Sequence, residues 1–173
     1  MMKTLIIDSA LAAVEGVEDG STVLVGGFGA AGEPSSLIDA LIEQGATDLM
    51  VVSNNAGGGG TGVAALLAAG RVPKVMCSFP RQPDSWMFDG LYRSGKVELE
   101  LVPQGTLRAH RADWQGNLVY RKTARNFGPV MATAATTTIA EVGGVVEVGQ
   151  LDPENVITPS IYVDRILNLA SAS

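Results

Sequence analysis

Thr22-Val23-Leu24-Val25-Gly26-Gly27-Phe28-Gly29-Ala30-Ala31-Gly32 is the stretch that decides the fold. Four continuous aliphatic and β-branched residues read as a short strand buried on both faces, as strands of parallel sheets are. The strand runs straight into glycines. Beyond them Pro34 suits a first helical turn, and Leu37, Ile38, Leu41 and Ile42 recur at helical spacing until Gly45 stops the helix. The unit then repeats. Leu49 to Val52 is a second buried strand ending in Ser53-Asn54-Asn55, Gly57 to Gly60 form a second glycine loop, and Val63 to Ala69 make a short helix closed by Gly70. Val75 to Phe79 read as a third strand, Ser85 to Ser94 as a helix, and Glu98 to Val102 as a fourth strand that alternates charged and apolar side chains. Strand, loop and helix in this rhythm predict an α/β fold, a three-layer α/β/α domain with a mostly parallel sheet.

The flanks are harder to read. Apolar residues from Leu5 to Val14 fall at helical spacing. Past Leu107, Asn117 to Tyr120 and Gly144 to Val148 read as strands, Pro129 to Ala140 as an Ala/Thr-rich helix, and Ile161 to Leu169 as a weakly amphipathic tail. At 173 residues the chain is the size of a single domain spanning 1–173, large enough for a core without disulfide or metal.

Composition narrows the function. Lys and Arg number 12 against 18 Asp and Glu, a formal net charge of −6, with the cations scattered, which argues against nucleic acid as a partner. No apolar run reaches the ~18 residues of a membrane span and no signal-like segment opens the chain, so the sequence predicts a soluble, cytoplasmic protein with no membrane partner. The lone Cys77 has no intramolecular bridge to make, which fits a reducing compartment. No metal-ligand spacing occurs, and His110 has no second ligand near it in sequence, so no metal site is expected.

Gly27-Phe28-Gly29-Ala30-Ala31-Gly32 satisfies G-x-G-x-x-G between a strand and a helix, the setting of a dinucleotide site. The next strand, however, ends in Ser53-Asn54-Asn55, where such a site places an acidic residue for the ribose. A ligand approaching backbone N–H groups, a dinucleotide site and an unliganded tight turn all remain open for this loop. Asn54 and Asn55 place amides at the strand edge where parallel sheets bind ligands, or else cap their own turn. Gln104, in Pro103-Gln104-Gly105-Thr106, is expected at the same edge. Arg81, in Ser78-Phe79-Pro80-Arg81-Gln82, ends the third strand and offers either a fork for a planar carboxylate or a solvated surface charge.

Taken together, Asp19-Gly20-Ser21-Thr22 through Gly26-Gly27-Phe28-Gly29 to Gly32-Glu33-Pro34, then Ser53-Asn54-Asn55-Ala56-Gly57, Pro103-Gln104-Gly105-Thr106-Leu107, Gly116-Asn117-Leu118-Val119-Tyr120-Arg121, Ala124-Arg125-Asn126-Phe127, and Leu151-Asp152-Pro153 through Thr158-Pro159, resemble the A (alpha) subunit of family I CoA-transferases over almost the whole chain. Within that family, Cys77 to Gln82, Phe88-Asp89 and Leu91 to Lys96 are more similar to the enzymes of 3-oxoadipate than to those of acetoacetate or acetate. The resemblance implies transfer of CoA from succinyl-CoA to 3-oxoadipate, in aromatic-compound breakdown, or alternatively the A subunit of another short-chain acid CoA-transferase of the acetoacetate or acetate type, with a CoA thioester as substrate and no permanently bound cofactor. It also implies a partner B subunit in a hetero-oligomer. That partner would supply the glutamate nucleophile, which passes through an acyl anhydride to a glutamyl-CoA thioester. This chain has no Ser-Glu-Asn-Gly segment to carry that glutamate. Asn54, Asn55 and Gln104 would then bind substrate carboxylate or developing oxyanion charge, with Arg81 on the second carboxylate of the acid. The loop of Gly26, Gly27, Phe28, Gly29 and Gly32 would give close backbone approach. Glu33 departs from the family pattern, in which a small or apolar residue stands at that position. So does the direct run from Leu107 into Arg108-Ala109-His110, where family members carry a sizeable segment with most of a core strand.

Overall fold

The described residues of the computed structural model, 5–101, 109–121 and 128–170, alternate strand and helix through their first two-thirds. The elements are β1 (Leu5–Ile7), α1 (Ala10–Ala13), β2 (Thr22–Leu24), α2 (Ser35–Gln44), β3 (Met50–Ser53), α3 (Val63–Ala68), β4 (Lys74–Cys77), α4 (Trp86–Arg93) and β5 (Glu98–Leu101). Then follow β6 (Arg111–Asp113), β7 (Leu118–Val119), α5 (Gly128–Ala134), β8 (Ile139–Val142), β9 (Val145–Val146) and β10 (Arg165–Asn168).

The four aliphatic segments pair in chain order. β2, β3, β4 and β5 form one all-parallel sheet in which Val23, Val51, Val75 and Leu99 stand in register. Val51, Val75 and Cys77 are fully buried, and α2, α3 and α4 lay Leu41, Leu66, Leu67 and Phe88 against them in one apolar cluster. β5 is the edge, and its alternation of Glu98 and Glu100 sets both carboxylates against Lys74 of the neighbouring strand, at 3.4 and 2.8 Å. Helix α2 ends where Gly45 takes φ +97°, a left-handed cap that a β-carbon would strain.

The second region is assembled from distant parts. β1, β10 and β8 form a parallel sheet in that order, joining the two ends of the chain, and β7, β6 and β9 form a mixed one. The architecture is therefore α/β with mostly parallel strands, divided among three sheets. The two regions share their packing. Leu24 and Val52 of the first sheet touch the cluster around Ala140, Val142 and Ile166, and Leu37 of α2 joins Val14 and Leu167.

Two expectations change. Leu5 to Val14 is not one helix: Leu5, Ile6 and Ile7 are a strand, and Ser9 Oγ accepts from the Ala12 N–H to start the four-residue α1. The helix expected over Pro129 to Ala140 stops at Ala134, because Thr136, Thr137 and Thr138 precede Ile139 in β8 and β-branched residues favour the extended chain. The tail supplies β10 as well as a 3₁₀ turn at Ser160–Tyr162. Among the described residues no helix is long and apolar enough to cross a membrane.

Candidate active site

A parallel sheet turns the carboxyl ends of its strands to one edge, and here the loops after β2 and β3 meet there. Gly29, Ala30 and Glu33 from the first, Asn55, Gly57, Gly58, Gly59 and Thr61 from the second, and Gln82, Pro83 and Asp84 after β4 surround a crevice of about 220 Å³. Close approach is possible because the loops are glycine. Gly57 has φ +79°, and a β-carbon on it would overlap Ala64 in α3.

The two asparagines form one unit. Asn55 Oδ1 accepts from the Gly57 N–H at 2.8 Å, its Nδ2 donates to Asn54 Oδ1 at 3.1 Å, and the Ser53 hydroxyl donates to the Asn55 carbonyl. Both are buried, Asn54 at 4% and Asn55 at 5% exposure. Asn55 thus closes its own turn while reaching the crevice wall, and Asn54 holds the Asn55 amide and, through its carbonyl, the Phe79 N–H at 3.0 Å. The structure brings Gly29 and Asn55 to one crevice. Gln104 lies outside the described residues.

Glu33 lines the crevice, and its carboxylate is tied to the start of α3. Its Oε1 accepts from the Val63 N–H, the first residue of α3, at 2.9 Å, and Gly62 leaves no room for a β-carbon beside that carboxylate. Burial raises its pKa, and the Val63 hydrogen bond partly opposes the shift. A charge that would repel an anionic substrate is thereby engaged at a helix start, where the unpaired N–H groups and helix dipole favour it.

Arg81 is exposed, and its Nε donates to Asp89 Oδ1 of α4 at 3.0 Å; it is not among the residues lining the crevice. Its neighbour Gln82 is. Gln82 Oε1 lies near both Gly29 and Gly58, and its Nε2 is buried without a hydrogen-bond partner among the described residues. Sequence reasoning assigned Gln82 no role, because nothing local distinguishes it; only the approach of the two glycine loops does. Cys77, fully buried at the end of β4, has its thiol pKa pushed up to about 11 by burial, which makes it an inert core residue.

The second of these glycine loops begins with Asn54 and Asn55 where a dinucleotide site places its ribose-binding acid. The chain belongs to the coenzyme A transferase family: the model of that family, described as Coenzyme A transferase, matches residues 7–109 and again 106–169. Among its relatives is the A subunit of 3-oxoadipate CoA-transferase from Pseudomonas putida, 48% identical across 96% of this chain and 94% of that protein. Its counterpart of the same name from Acinetobacter baylyi is 45% identical across 92% of each. Both point to a CoA-transferase A subunit. The alignment with the Pseudomonas protein runs over 217 positions, although this chain has 173 residues. Glutaconate coenzyme A-transferase from Acidaminococcus fermentans shares the fold, with a TM-score of 0.81 at 15% identity over 95% of this chain and 75% of that one. An acyl-CoA transferase of E. coli O157:H7, solved as a thioester complex with CoA, superposes with a TM-score of 0.82 at 18% identity over 99% of this chain. This chain spans about half the length of that polypeptide, 48%.

Proposed function

We propose that the chain is the A half of a two-subunit enzyme that moves CoA from succinyl-CoA to 3-oxoadipate. The observation that carries this reading is the crevice itself. It offers buried amides and glycine backbone, while its two lining carboxylates are Glu33, engaged by Val63, and the exposed Asp84. Such a wall suits a receiver of negative charge and calls for a nucleophile from elsewhere, namely a B subunit. Identity of 45–48% to the two 3-oxoadipate relatives, against 34% to a probable succinyl-CoA:3-ketoacid relative of Bacillus subtilis, supports the choice of acid.

In this reading the succinyl-CoA carbonyl is attacked by a glutamate carboxylate of the B subunit, and the C–S bond breaks. The CoA thiolate then attacks the glutamyl side of the anhydride, releasing succinate and leaving a glutamyl-CoA thioester. 3-Oxoadipate next attacks that thioester, and the thiolate returns to its acyl group. Each addition places negative charge on a carbonyl oxygen. Asn54, Asn55, Gln82 and Gln104 are the amides that would donate to it, with the loop from Gly26 to Gly32 against the bound thioester. The CoA thioester is substrate, and no resident cofactor enters. A single buried cysteine supports a reducing, cytoplasmic setting.

The test is CoA exchange between succinyl-CoA and 3-oxoadipate by the purified chain, by its B partner, and by the mixture. Turnover by the mixture alone is expected. Turnover by this chain without a partner would overturn the half-site reading.

A further inference from the structure

Gln82 holds an amide that the rest of the chain leaves unused. Neither end of that amide makes a hydrogen bond among the described residues, and Nε2 is buried. Arg71 Nε and Ser78 Oγ share that condition but lie outside the crevice lining, whereas Gln82 is part of it. A buried donor without an acceptor lowers stability, so its retention beside a crevice calls for an acceptor that arrives with a ligand.

The backbone around Gln82 is fixed on both sides. Its carbonyl accepts from the Ser85 N–H at 3.1 Å, the Asp84 carbonyl accepts from the Gly59 N–H at 2.9 Å, and Arg81 Nε is held by Asp89. The side chain reaches across two loops: β-carbons placed on Gly29 and Gly58 would stand 3.4 and 3.9 Å from its Oε1. The terminal torsion of a glutamine is broad and two-fold, so a half-turn of the unbonded amide puts Nε2 where Oε1 stands. The donor thereby comes against both glycine loops without any movement of the backbone.

The charge of the crevice decides what that donor takes. Glu33 and Asp84 line the same space, so an uncharged oxygen enters there at less electrostatic cost than a further carboxylate. Glutamine is an uncharged donor with two N–H groups on one nitrogen. Two oxygens on carbons 1 and 3 of one acid, as in a 3-oxoacyl group, can share such a nitrogen. One is the carbonyl oxygen that gains charge when carbon 1 is attacked, and the other is the ketone oxygen. A succinyl group cannot offer this pair, because its remaining oxygens belong to a carboxylate on carbon 4. At about 220 Å³ the crevice is smaller than the ~300 Å³ of pockets that enclose drug-sized ligands, which suits the acyl end of a thioester and not the whole of it.

We infer that Gln82 is the residue that selects the 3-oxo group of the acceptor acid, donating one N–H to the ketone oxygen and the other to the oxygen of the reacting carbonyl. This role rests on the CoA-transfer reading above and deepens it. The bond to the reacting carbonyl forms with any acid, and the bond to the ketone forms with 3-oxo acids alone.

The experiment uses the enzyme reconstituted with its B partner and two pairs of acceptor acids, 3-oxoadipate with adipate and acetoacetate with butanoate. The members of each pair differ by the oxo group. Gln82→Met keeps the length of the side chain and removes both N–H groups. In both pairs it is expected to lower the ratio of kcat/KM for the oxo acid to that for its partner by about tenfold, with most of the change in KM. Exchange of labelled succinate with succinyl-CoA, which involves no ketone, should fall by less. Gln82→Glu, of the same shape with an oxygen in place of the NH2, gives the same ratios should the methionine variant not fold. Ratios unchanged in both pairs would overturn the inference and leave Gln82 as packing between the glycine loops. An enzyme that prefers acetoacetate to 3-oxoadipate, yet loses its preference for oxo acids with Gln82→Met, would overturn the choice of acid and sustain the role of Gln82.

Discussion

Residues 5–101 and 109–170 differ in where their strands find partners. In the first region β2, β3, β4 and β5 pair in the order the chain makes them, each delivered by the helix before it. In the second, β8 pairs with β10, and β10 with β1 from the opposite end of the chain. Local pairing leaves its pattern in a short window of sequence, whereas distant pairing leaves only isolated apolar fragments. Function follows the same division, because the crevice belongs to the locally paired region.

The strongest test of that division is whether the regions unfold separately. Phe88 is 1% exposed in the first cluster and stacks on Tyr92. Phe88→Ala is expected to cost about 3–5 kcal/mol. Because Leu24, Val52 and Leu37 pack into the clusters of the second region, the loss should appear equally in both. Trp86 lies in α4 and Trp114 just after β6, so Trp114→Phe and Trp86→Phe variants leave one fluorescent reporter per region. Coincident transitions are expected in urea. A Phe88→Ala shift confined to the Trp86 signal would show two independent folding units.

Beside the crevice-lining Asn55, Asn54→Ala in the reconstituted enzyme is expected to lower turnover by ~10²–10³, the usual consequence of losing one oxyanion donor. Asn55→Ala should add a loss of stability of roughly 1–3 kcal/mol, because the buried Gly57 N–H loses its acceptor. Should Asn54→Ala lose stability and keep full turnover per folded molecule, the pair would be a turn cap and nothing more.

The legibility of the chain follows the same division. Helix α2 is plain in sequence because Pro34, an i, i+3, i+4 apolar face and Gly45 all agree. The span from Leu5 to Val14 misleads because an aliphatic strand and a short helix joined at Asp8-Ser9 mimic one helical period. The end of α5 is invisible until β10 claims Ile139 as a strand partner. In the site, glycines and asparagines announce themselves by type. The pairing of Glu33 with Val63 and the burial of the Gln82 amide nitrogen depend on folds of the chain that no local pattern encodes.

Glu33 offers a smaller effect with a defined sign. Its folded-state pKa lies above the ordinary value of 4.5, since burial disfavours the carboxylate. The folded protein therefore holds the proton more tightly than the unfolded chain, and this contribution to stability is complete below about pH 4.5 and lost as pH rises through the folded-state value. Glu33→Gln keeps an oxygen for the Val63 N–H and cannot ionise. The variant is expected to gain stability over its parent as pH rises from 4 toward 7, read as a widening gap between urea midpoints. A constant gap across that range would show that the carboxylate carries no burial penalty.

The smallest effect concerns Arg81, on the rim of the first region. Its Nε is held by Asp89, and this contact fixes the plane of the guanidinium while the fork of terminal nitrogens stays available for the second carboxylate of a dicarboxylic acid. The side chain is 64% exposed, so solvent screens the interaction and its worth is about 1 kcal/mol at most, roughly fivefold in binding. Lysine keeps the charge and loses the fork. Arg81→Lys in the reconstituted enzyme is therefore expected to raise KM for 3-oxoadipate by up to about fivefold, with kcat and the weak activity on monocarboxylates unchanged. Asp89→Asn, which loosens the guanidinium without removing it, should reproduce part of that rise. Equal losses on both acid classes would assign Arg81 to the surface of α4, and the discrimination between acids would then fall to the next residue, Gln82, which lines the crevice with its amide nitrogen buried.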